Sequence, residues 1–215
     1  METVPGARLA EDDPRAFETA LRLLQRGQLI ALPTDTVYGI SAHALRPEAV
    51  MKVFAAKRRP LHKAIPLLLS EVADVCAVAA QIPSALFMLA EQFWPGPLTL
   101  VLHRAPNLPN AVTGGGDTVA VRVPDRSFPR RLAAGLSAPL ATTSANLAGQ
   151  PNSLTADAVE RALGDHLGLI VDGGPSPGGR PSTVVDLLSD PPRILRAGPI
   201  TAEQIDLALR SVRTP

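Results

Sequence analysis

The sequence contains few of the residues that mark several classes of protein. It has one cysteine, Cys76, which excludes an internal disulfide and a cysteine-rich zinc site. Aromatic residues make up 3% of the chain, which argues against a surface that stacks single-stranded nucleic acid. The formal net charge is +1, whereas proteins that bind nucleic acid through its phosphates are usually far more basic. Any contact with nucleic acid is therefore expected to be local or weak.

Long apolar runs are also missing. No run approaches the ~20 residues of a membrane-spanning helix, and residues 1–5 lack the basic and then apolar order of a secretory signal. We therefore expect a cytoplasmic protein without membrane contact. With 46% hydrophobic and 19% charged residues, the composition is that of a globular protein. The 215 residues fit one domain, expected at residues 13–213 after a loose leader at residues 1–12.

Helix and strand patterns are intermixed along the chain. Apolar residues at helical spacing lie between Asp13, which suits an N-cap, and Gly27, which suits a helix end. A buried strand is predicted at residues 29–32, followed by a turn-rich segment at residues 33–39. Further strands are predicted at 65–69, 98–102, 118–123, 139–142, 169–171, 183–187 and 193–195, and further helices at 47–57, 71–79, 83–93, 127–136, 155–163 and from 201 onward. The fold class is therefore α/β with a mixed sheet.

The densest positive cluster comprises Lys57, Arg58, Arg59 and Lys63, with His62 among them. Two interpretations remain open. Cations at a helix C-terminus offset the helix dipole and are often simply solvated. Arginine also binds phosphate and carboxylate through two parallel hydrogen bonds, so the cluster is also a candidate anion clamp in a polar, solvent-facing turn.

Two hydroxyl-rich segments, residues 33–36 and 142–146, directly follow predicted strands. Ligands of open α/β sheets gather beyond the carboxyl ends of strands, so either segment is a candidate ligand loop or a hydroxyl-stabilised turn. A nucleophile and base pair of Ser144 and Lys57 is disfavoured, because no nucleophile-elbow pattern surrounds the serine. The histidines do not have metal-ligand spacing, and no metal ligand is predicted among the side chains.

Seven motifs together resemble the YrdC/TsaC family, in its order, across roughly residues 15–210. They are PTDTVYG at 33–39, KRRP at 57–60, WPGPLT at 94–99, VAVRVP at 119–124, TSAN at 143–146, PSTVVD at 181–186 and ILR at 194–196. The resemblance is to L-threonylcarbamoyladenylate synthases of the short form, without the extra C-terminal domain of longer members. It implies a twisted mixed sheet flanked by helices, with a concave, positively charged cavity.

The resemblance also implies a reaction. L-threonine, bicarbonate and ATP, the last with Mg²⁺, would give threonylcarbamoyl-AMP and pyrophosphate, and a separate transferase complex would use the product to modify tRNA. Contact with tRNA itself would be weak or indirect. Two alternatives stay open: a double-stranded RNA or tRNA-binding module without catalysis, and a carbamoyl-nucleotide enzyme with another substrate.

The family's signatures assign candidate residues. The Lys-x-Arg and Ser-x-Asn signatures give four catalytic candidates: Lys57, Arg59, Ser144 and Asn146. The threonine candidates are Thr36, Arg122, Thr142 and Ser182. The nucleotide candidates are Arg59, Lys63, Thr118, Ser144, Asn152 and Arg196. One position departs from the pattern, since Leu68 stands where many members have a histidine that touches threonine.

Overall fold

The computed structural model describes residues 6–210. Those residues form eleven strands, eight α-helices and two short 3₁₀ turns. The strands are β1 Arg8–Ala10, β2 Ile30–Leu32, β3 Gly39–His43, β4 Leu67–Leu68, β5 Ala79–Ala80, β6 Leu98–Arg104, β7 Thr118–Arg122, β8 Leu140–Ser144, β9 Leu169–Asp172, β10 Thr183–Asp186 and β11 Arg193–Arg196. The helices are α1 Pro14–Gln25, α2 Pro47–Lys57, α3 Val75–Val78, α4 Ser84–Phe93, α5 Asn110–Thr113, α6 Ser127–Leu136, α7 Ala156–Leu163 and α8 Ala202–Arg210.

All eleven strands belong to one mixed sheet, which confirms the predicted fold class. Its order is β1-β9-β2-β3-β8-β4-β7-β6-β10-β11, with β5 paired to β6 outside this path. Strands β9, β4 and β6 have parallel neighbours, whereas β3 and β8 are paired antiparallel on both sides. The central strands therefore come from widely separated parts of the sequence.

Apolar residues cover the two faces of the sheet unequally. The larger buried cluster includes residues of α2, α4, α7 and α8 and lies on one face. The smaller cluster lies on the other face, where α1 and α6 pack against each other. Helix α6 also packs against β4 and β8, and α1 also packs against β9 and the strands β1, β2 and β3. Leu68 and Leu140, which are paired across β4 and β8, belong to this smaller cluster. The rest of that face is left for polar side chains.

The first helix forms for the reasons the sequence predicts. The Asp13 carboxylate accepts a hydrogen bond from the Arg15 backbone N–H at 2.8 Å, and Pro14 occupies the first turn, where its missing N–H costs nothing. Gly27 follows the helix with a φ of +68°, a left-handed conformation that glycine adopts without strain. Both predicted ends of α1 are therefore confirmed.

Several elements differ from the prediction. Arg8–Ala10, within the expected loose leader, pair with β9 as an edge strand, while residues 1–5 and 211–213 lie outside the described residues. The helix predicted at 71–79 is a 3₁₀ turn and the four-residue α3, and the strand predicted at 65–69 is the two-residue β4. Strand β3 was not predicted. Among residues 6–210, no helix is both long enough and apolar enough to cross a bilayer.

Candidate active site

A polar cavity lies on the same sheet face as α1 and α6, in the part of that face that the two helices do not cover. Residues paired directly across strands point to the same face, so the register decides which side chains meet there. Leu68 pairs with Arg122, and Thr142 pairs with Ser41. The cavity has a volume of about 170 Å³. Its lining residues are Thr34, Thr36, Val37, Gly39, Pro66, Leu68, Thr99, Arg122, Thr142, Thr143, Ser144, Asn152, Pro181, Ser182 and Arg196.

The loop after β2 forms one wall of the cavity. The Thr34 hydroxyl donates to the Val37 carbonyl at 2.7 Å and accepts from the backbone N–H groups of Thr36 and Val37. It also lies 2.9 Å from the Thr36 hydroxyl. Because the Thr34 hydroxyl donates its only proton to the Val37 carbonyl, the Thr36 hydroxyl is the donor in its contact with Thr34. The Thr36 oxygen therefore keeps a lone pair for other partners.

Arg122, at the end of β7, lies in the floor of the cavity and is 5% exposed. Its guanidinium donates from Nε to the Gly96 carbonyl at 2.9 Å, from Nη1 to the Thr36 hydroxyl at 3.0 Å and from Nη2 to the Asp35 carboxylate at 2.5 Å. A guanidinium has five N–H donors, so one on Nη1 and one on Nη2 remain. Burial lowers the pKa of Arg122 from its ordinary value, and the ion pair with Asp35 opposes that shift.

Arg196, on β11, brings a second guanidinium to the exposed rim. It donates to the Ser182 carbonyl at 2.8 and 3.0 Å and to the Ser182 hydroxyl at 3.0 Å. Burial of its guanidinium, with the charge of Arg122, lowers the pKa of Arg196 from its ordinary value. Two cationic groups thus face the cavity and are close enough to repel each other, which favours an anion between them.

Second hydroxyls support the candidate threonine contacts. The Thr99 and Ser182 hydroxyls lie 2.7 Å apart, and those of Ser41 and Thr142 lie 2.8 Å apart. All four residues are less than 9% exposed. A buried hydroxyl with a fixed partner has a fixed direction, so these pairs orient the polar surface of the cavity.

Lys57, the last residue of α2, does not line the cavity but contacts the segment that begins at the lining residue Ser144. It is 2% exposed, and its ammonium donates to the carbonyls of Ser144 and Asn146, with the Asn146 side-chain oxygen 3.5 Å away. The expectation that Lys57 lies in a solvent-facing turn is therefore wrong. The turn begins one residue later, where Arg58 ends the helix in the left-handed conformation with a φ of 51°.

Arg59 and Lys63 belong to the exposed loop after α2. Arg59 is partly exposed and donates to the carbonyls of Lys63 at 3.2 Å and Ala64 at 2.7 Å, so it closes the loop on itself. Lys63 is exposed. Neither residue lines the cavity.

The structure brings together all four threonine candidates and three of the nucleotide candidates. The cavity lining contains Thr36, Arg122, Thr142, Ser182, Ser144, Asn152 and Arg196. Four other candidates do not line the cavity. Lys57 and Asn146 contact each other next to Ser144, and Arg59 and Lys63 lie in the loop after α2. Thr118 is the exception, since it begins β7, four residues or about 13 Å of strand before Arg122.

Thr34 and Asp35 belong to the candidate ligand loop at residues 33–36, although the sequence did not indicate their contacts. Sequence reasoning missed two other residues that shape the cavity, Ser41 and Thr99. Thr99 ends the motif WPGPLT, so its position carried a signal although its contact with Ser182 did not. Ser41 lies in the unpredicted β3, where the short alternation of apolar and polar residues from Ile40 to His43 is the signal that could have indicated it. Among residues 6–210, no group of three His, Cys, Asp or Glu side chains is placed to hold a metal ion.

Comparisons with known proteins show which proteins this chain resembles. The family model of Sua5, YciO and YrdC proteins, described as telomere recombination, matches residues 22–198. A threonylcarbamoyl-AMP synthase of Pyrococcus abyssi is 39% identical over 194 residues, with 90% of this chain and 57% of that protein covered. A threonylcarbamoyl-AMP synthase of Bacillus subtilis is 37% identical, with 94% and 58% covered. The chain therefore spans a little over half the length of these two relatives.

A solved structure gives the corresponding result for the fold. The crystal structure of P. abyssi Sua5 complexed with L-threonine aligns with a TM-score of 0.89 and 37% identity. The alignment covers 94% of this chain and 59% of that one. The similarity in fold therefore extends over nearly all of this chain.

Proposed function

The chain belongs to the Sua5/YciO/YrdC family, and from that premise we propose that it is a threonylcarbamoyl-AMP synthase. The reaction joins L-threonine, bicarbonate and ATP into threonylcarbamoyl-AMP, with pyrophosphate and water released, so the enzyme class is a nucleotidyltransferase. The observation that carries the proposal is the cavity floor, where the buried Arg122 retains two free donors among oriented hydroxyls. The names of the relatives and the L-threonine complex of P. abyssi Sua5 support it.

The proposed chemistry needs no protein nucleophile. Bicarbonate takes up a proton and gives carbon dioxide and water. The threonine amine attacks the carbon dioxide and loses a proton, which gives a carbamate. A carbamate oxygen then attacks the α-phosphorus of ATP, and the bond to the bridging oxygen of pyrophosphate breaks. Both reactants are anions, so the protein contributes by holding them in position and offsetting their charge.

Threonine is proposed to occupy the floor of the cavity. The two N–H groups left on Nη1 and Nη2 of Arg122 are proposed to donate to the amino acid carboxylate. The lone pair left on Thr36 accepts an N–H or O–H of the ligand, and the hydroxyls of Thr142 and Ser182 surround the rest. Leu68 completes the wall with an apolar surface where many family members have a histidine.

ATP is proposed to extend from this floor towards the basic loop. Arg196, Ser144 and Asn152 line the near part of that path, and Arg59 and Lys63 lie beyond it. Thr118 stays a proposed nucleotide contact. We include Mg²⁺ as part of the nucleotide substrate, because the carboxylate in contact with the lining, Asp35, is already paired with Arg122. When bound, that ion neutralises charge on the pyrophosphate group.

The test is product identification. Purified protein with ATP, Mg²⁺, bicarbonate and labelled L-threonine should release pyrophosphate and form threonylcarbamoyl-AMP without added tRNA. Valine should be a poor substrate, because it has no hydroxyl to pair with the lone pair that Thr36 keeps, and serine should be used less well than threonine. Pyrophosphate release that does not depend on an amino acid would contradict the proposal.

A paired substitution tests whether the basic loop acts as a specific clamp. Arg59→Ala should lower kcat/KM for ATP by about 10- to 100-fold, the cost of one charge-assisted hydrogen bond. Arg58→Ala is the matched control, because Arg58 is exposed and forms no hydrogen bond of its side chain within residues 6–210. Equal losses from the two variants would indicate a diffuse basic patch.

The RNA-binding alternative is not favoured, because the polar surface is a cavity of small-molecule size. In the proposed role, a separate transferase complex consumes the product during tRNA modification. Free protein should then bind unmodified tRNA weakly, with affinity falling steeply as salt increases. Nanomolar tRNA binding at physiological salt would favour the alternative.

A further inference from the structure

Lys57 is unusual among the residues of the two signatures because its charged group is enclosed. It is 2% exposed at the end of α2. Buried lysines are rare and need partners, because a desolvated ammonium is costly. The partners here are all oxygens of the polypeptide: the carbonyls of Ser144 and Asn146 and, at 3.5 Å, the Asn146 side-chain oxygen.

Those three oxygens use the full donor capacity of the ammonium. A lysine ammonium has three N–H donors and no acceptor, so Lys57 has no donor left for a ligand. Burial and the nearby charge of Arg59 lower the pKa of Lys57 to about 8, which still leaves the group mostly charged at pH 7. The lysine is therefore fully engaged within the protein.

The oxygens belong to one segment, which we call the Ser144 loop (residues 144–148). Ala148 N–H donates back to the Lys57 carbonyl at 3.0 Å, so the loop is tied to α2 from both ends. The Asn146 amide donates to the carbonyls of Leu147 at 2.9 Å and Gln150 at 2.6 Å. Asn146 is thus also committed to the loop's own structure.

Ser144 is the member of this segment that faces the cavity. It lines the cavity, it is partly exposed, and its hydroxyl makes no hydrogen bond to any other residue of the described range 6–210. Its carbonyl, by contrast, is held by Lys57. The held backbone fixes the direction of the Ser144 Cα–Cβ bond, and so the side of the loop on which the hydroxyl lies.

We infer that Lys57 is a positioning residue: it holds the Ser144 loop so that the Ser144 hydroxyl faces the cavity, and it does not contact the nucleotide. This inference rests on the proposed function for its meaning in catalysis. It divides the two signatures by task. Lys57 and Asn146 build the loop, whereas Arg59 and Ser144 present the groups that a ligand reaches.

Chemical labelling of the unmodified protein tests the enclosed state directly. The sequence contains three lysines, Lys52, Lys57 and Lys63, so each can be followed by mass spectrometry during reductive methylation. Lys52 and Lys63 are exposed and serve as internal references. Lys57 should be methylated more slowly than both, at a rate that MgATP does not change. Rapid methylation of Lys57 that MgATP suppresses would overturn the inference.

Kinetics test whether Lys57 acts through Ser144. Lys57→Met and Ser144→Ala should each lower kcat/KM for ATP by about 10- to 100-fold. The double variant should have a kcat/KM no lower than that of the less active single variant. Lys57→Met combined with Arg196→Ala should instead show the product of the two losses. Independent, multiplying losses for Lys57 and Ser144 would overturn the inference.

Lys52→Met is the matched control. Lys52 also lies on α2 and also donates to a backbone carbonyl, that of Gly27 at 2.7 Å, but the bond is away from the cavity. This variant should retain wild-type kinetics. If Lys57→Met does not fold, the labelling result decides.

The labelling arm also separates this inference from the proposed function. Slow methylation of Lys57 in free protein tests the enclosure whether or not the chain makes threonylcarbamoyl-AMP. Absence of that product from the wild-type protein would remove the proposed function while leaving the enclosure of Lys57 intact.

Discussion

The buried ion pair between Asp35 and Arg122 provides the sharpest test of how the cavity is held. The side chains of Arg122 and Asp35 are 6% and 12% exposed, and the second oxygen of the Asp35 carboxylate is buried without a hydrogen-bond partner. Asp35→Asn keeps the shape and one acceptor but removes the charge opposite Arg122. The arginine then stays buried and charged, because its guanidinium does not lose its proton in proteins.

The expected cost is large for one substitution. Removing one partner of a buried pair costs about 3–5 kcal/mol, because an uncompensated charge is left behind. The lower end applies, since Arg122 retains its bonds to Thr36 and Gly96 and an asparagine oxygen still accepts from it. A loss of about 3 kcal/mol in a chain of this length corresponds to a fall in Tm of roughly 6–12 °C.

Thermal unfolding, followed by calorimetry, measures this loss against a matched control. Asp186 is as buried as Asp35, at 11% exposure of its side chain, but its partner Arg193 is 70% exposed and 3.6 Å away. Asp186→Asn should cost at most about 1 kcal/mol, because water screens that pair. Saturating L-threonine should raise Tm more in the Asp35 variant than in wild type, since its carboxylate supplies the missing charge. Equal losses from the two substitutions would refute this account.

Three further outcomes are expected. Because burial lowers the pKa of Lys57 to about 8, kcat should fall as pH rises through about 8, and Lys57→Met should lack that limb. In the unfolded chain the lysine pKa is near 10.4, about two units higher. Between these two values the unfolded state binds more protons than the folded state, so titration of Lys57 makes the free energy of unfolding rise with pH. Tm measured alongside kcat should therefore not show a matching fall. Thr99→Val removes the hydroxyl 2.7 Å from that of Ser182 and should raise the KM for threonine about fivefold or more, measured by pyrophosphate release. Gly39→Ala would place a Cβ 2.6 Å from the Thr142 methyl carbon, so it should lower both Tm and threonine turnover, whereas unchanged values of both would contradict the packing.

The parts of the fold that the sequence predicts are those with local causes. Helix α1 has a cap, a proline in its first turn, a helical apolar face and a terminal glycine, and all of these act within the helix itself. Strand β3 shows why others were missed. Its residues, Gly39–His43, alternate apolar and polar side chains from Ile40 to His43, but the alternation is only four residues long and the strand contains glycine and alanine, which are depleted in strands. They form a strand because β2 and β8 lie on either side and satisfy their backbone groups.

The candidate site divides in the same way. Family motifs indicated residues that the structure brings together, since Thr36, Arg122, Thr142 and Ser182 all line one cavity. The motifs do not state which hydroxyl supports which. That information depends on strand register, since Thr142 has Ser41 as a neighbour only through the antiparallel pairing of β3 and β8.

Lys57 shows most clearly where composition misleads. A lysine at a helix end, next to two arginines and a proline, has every local mark of a solvated residue, and lysines are almost never buried without partners. Its partners are backbone carbonyls 87 and 89 residues further along the chain. Backbone carbonyls belong to every residue, so no residue type in the sequence identifies them as the ones that hold this charge. The burial of Lys57 follows only once β8 has brought the Ser144 loop to the end of α2, which makes the position of the charge a consequence of the fold rather than of its neighbours in sequence.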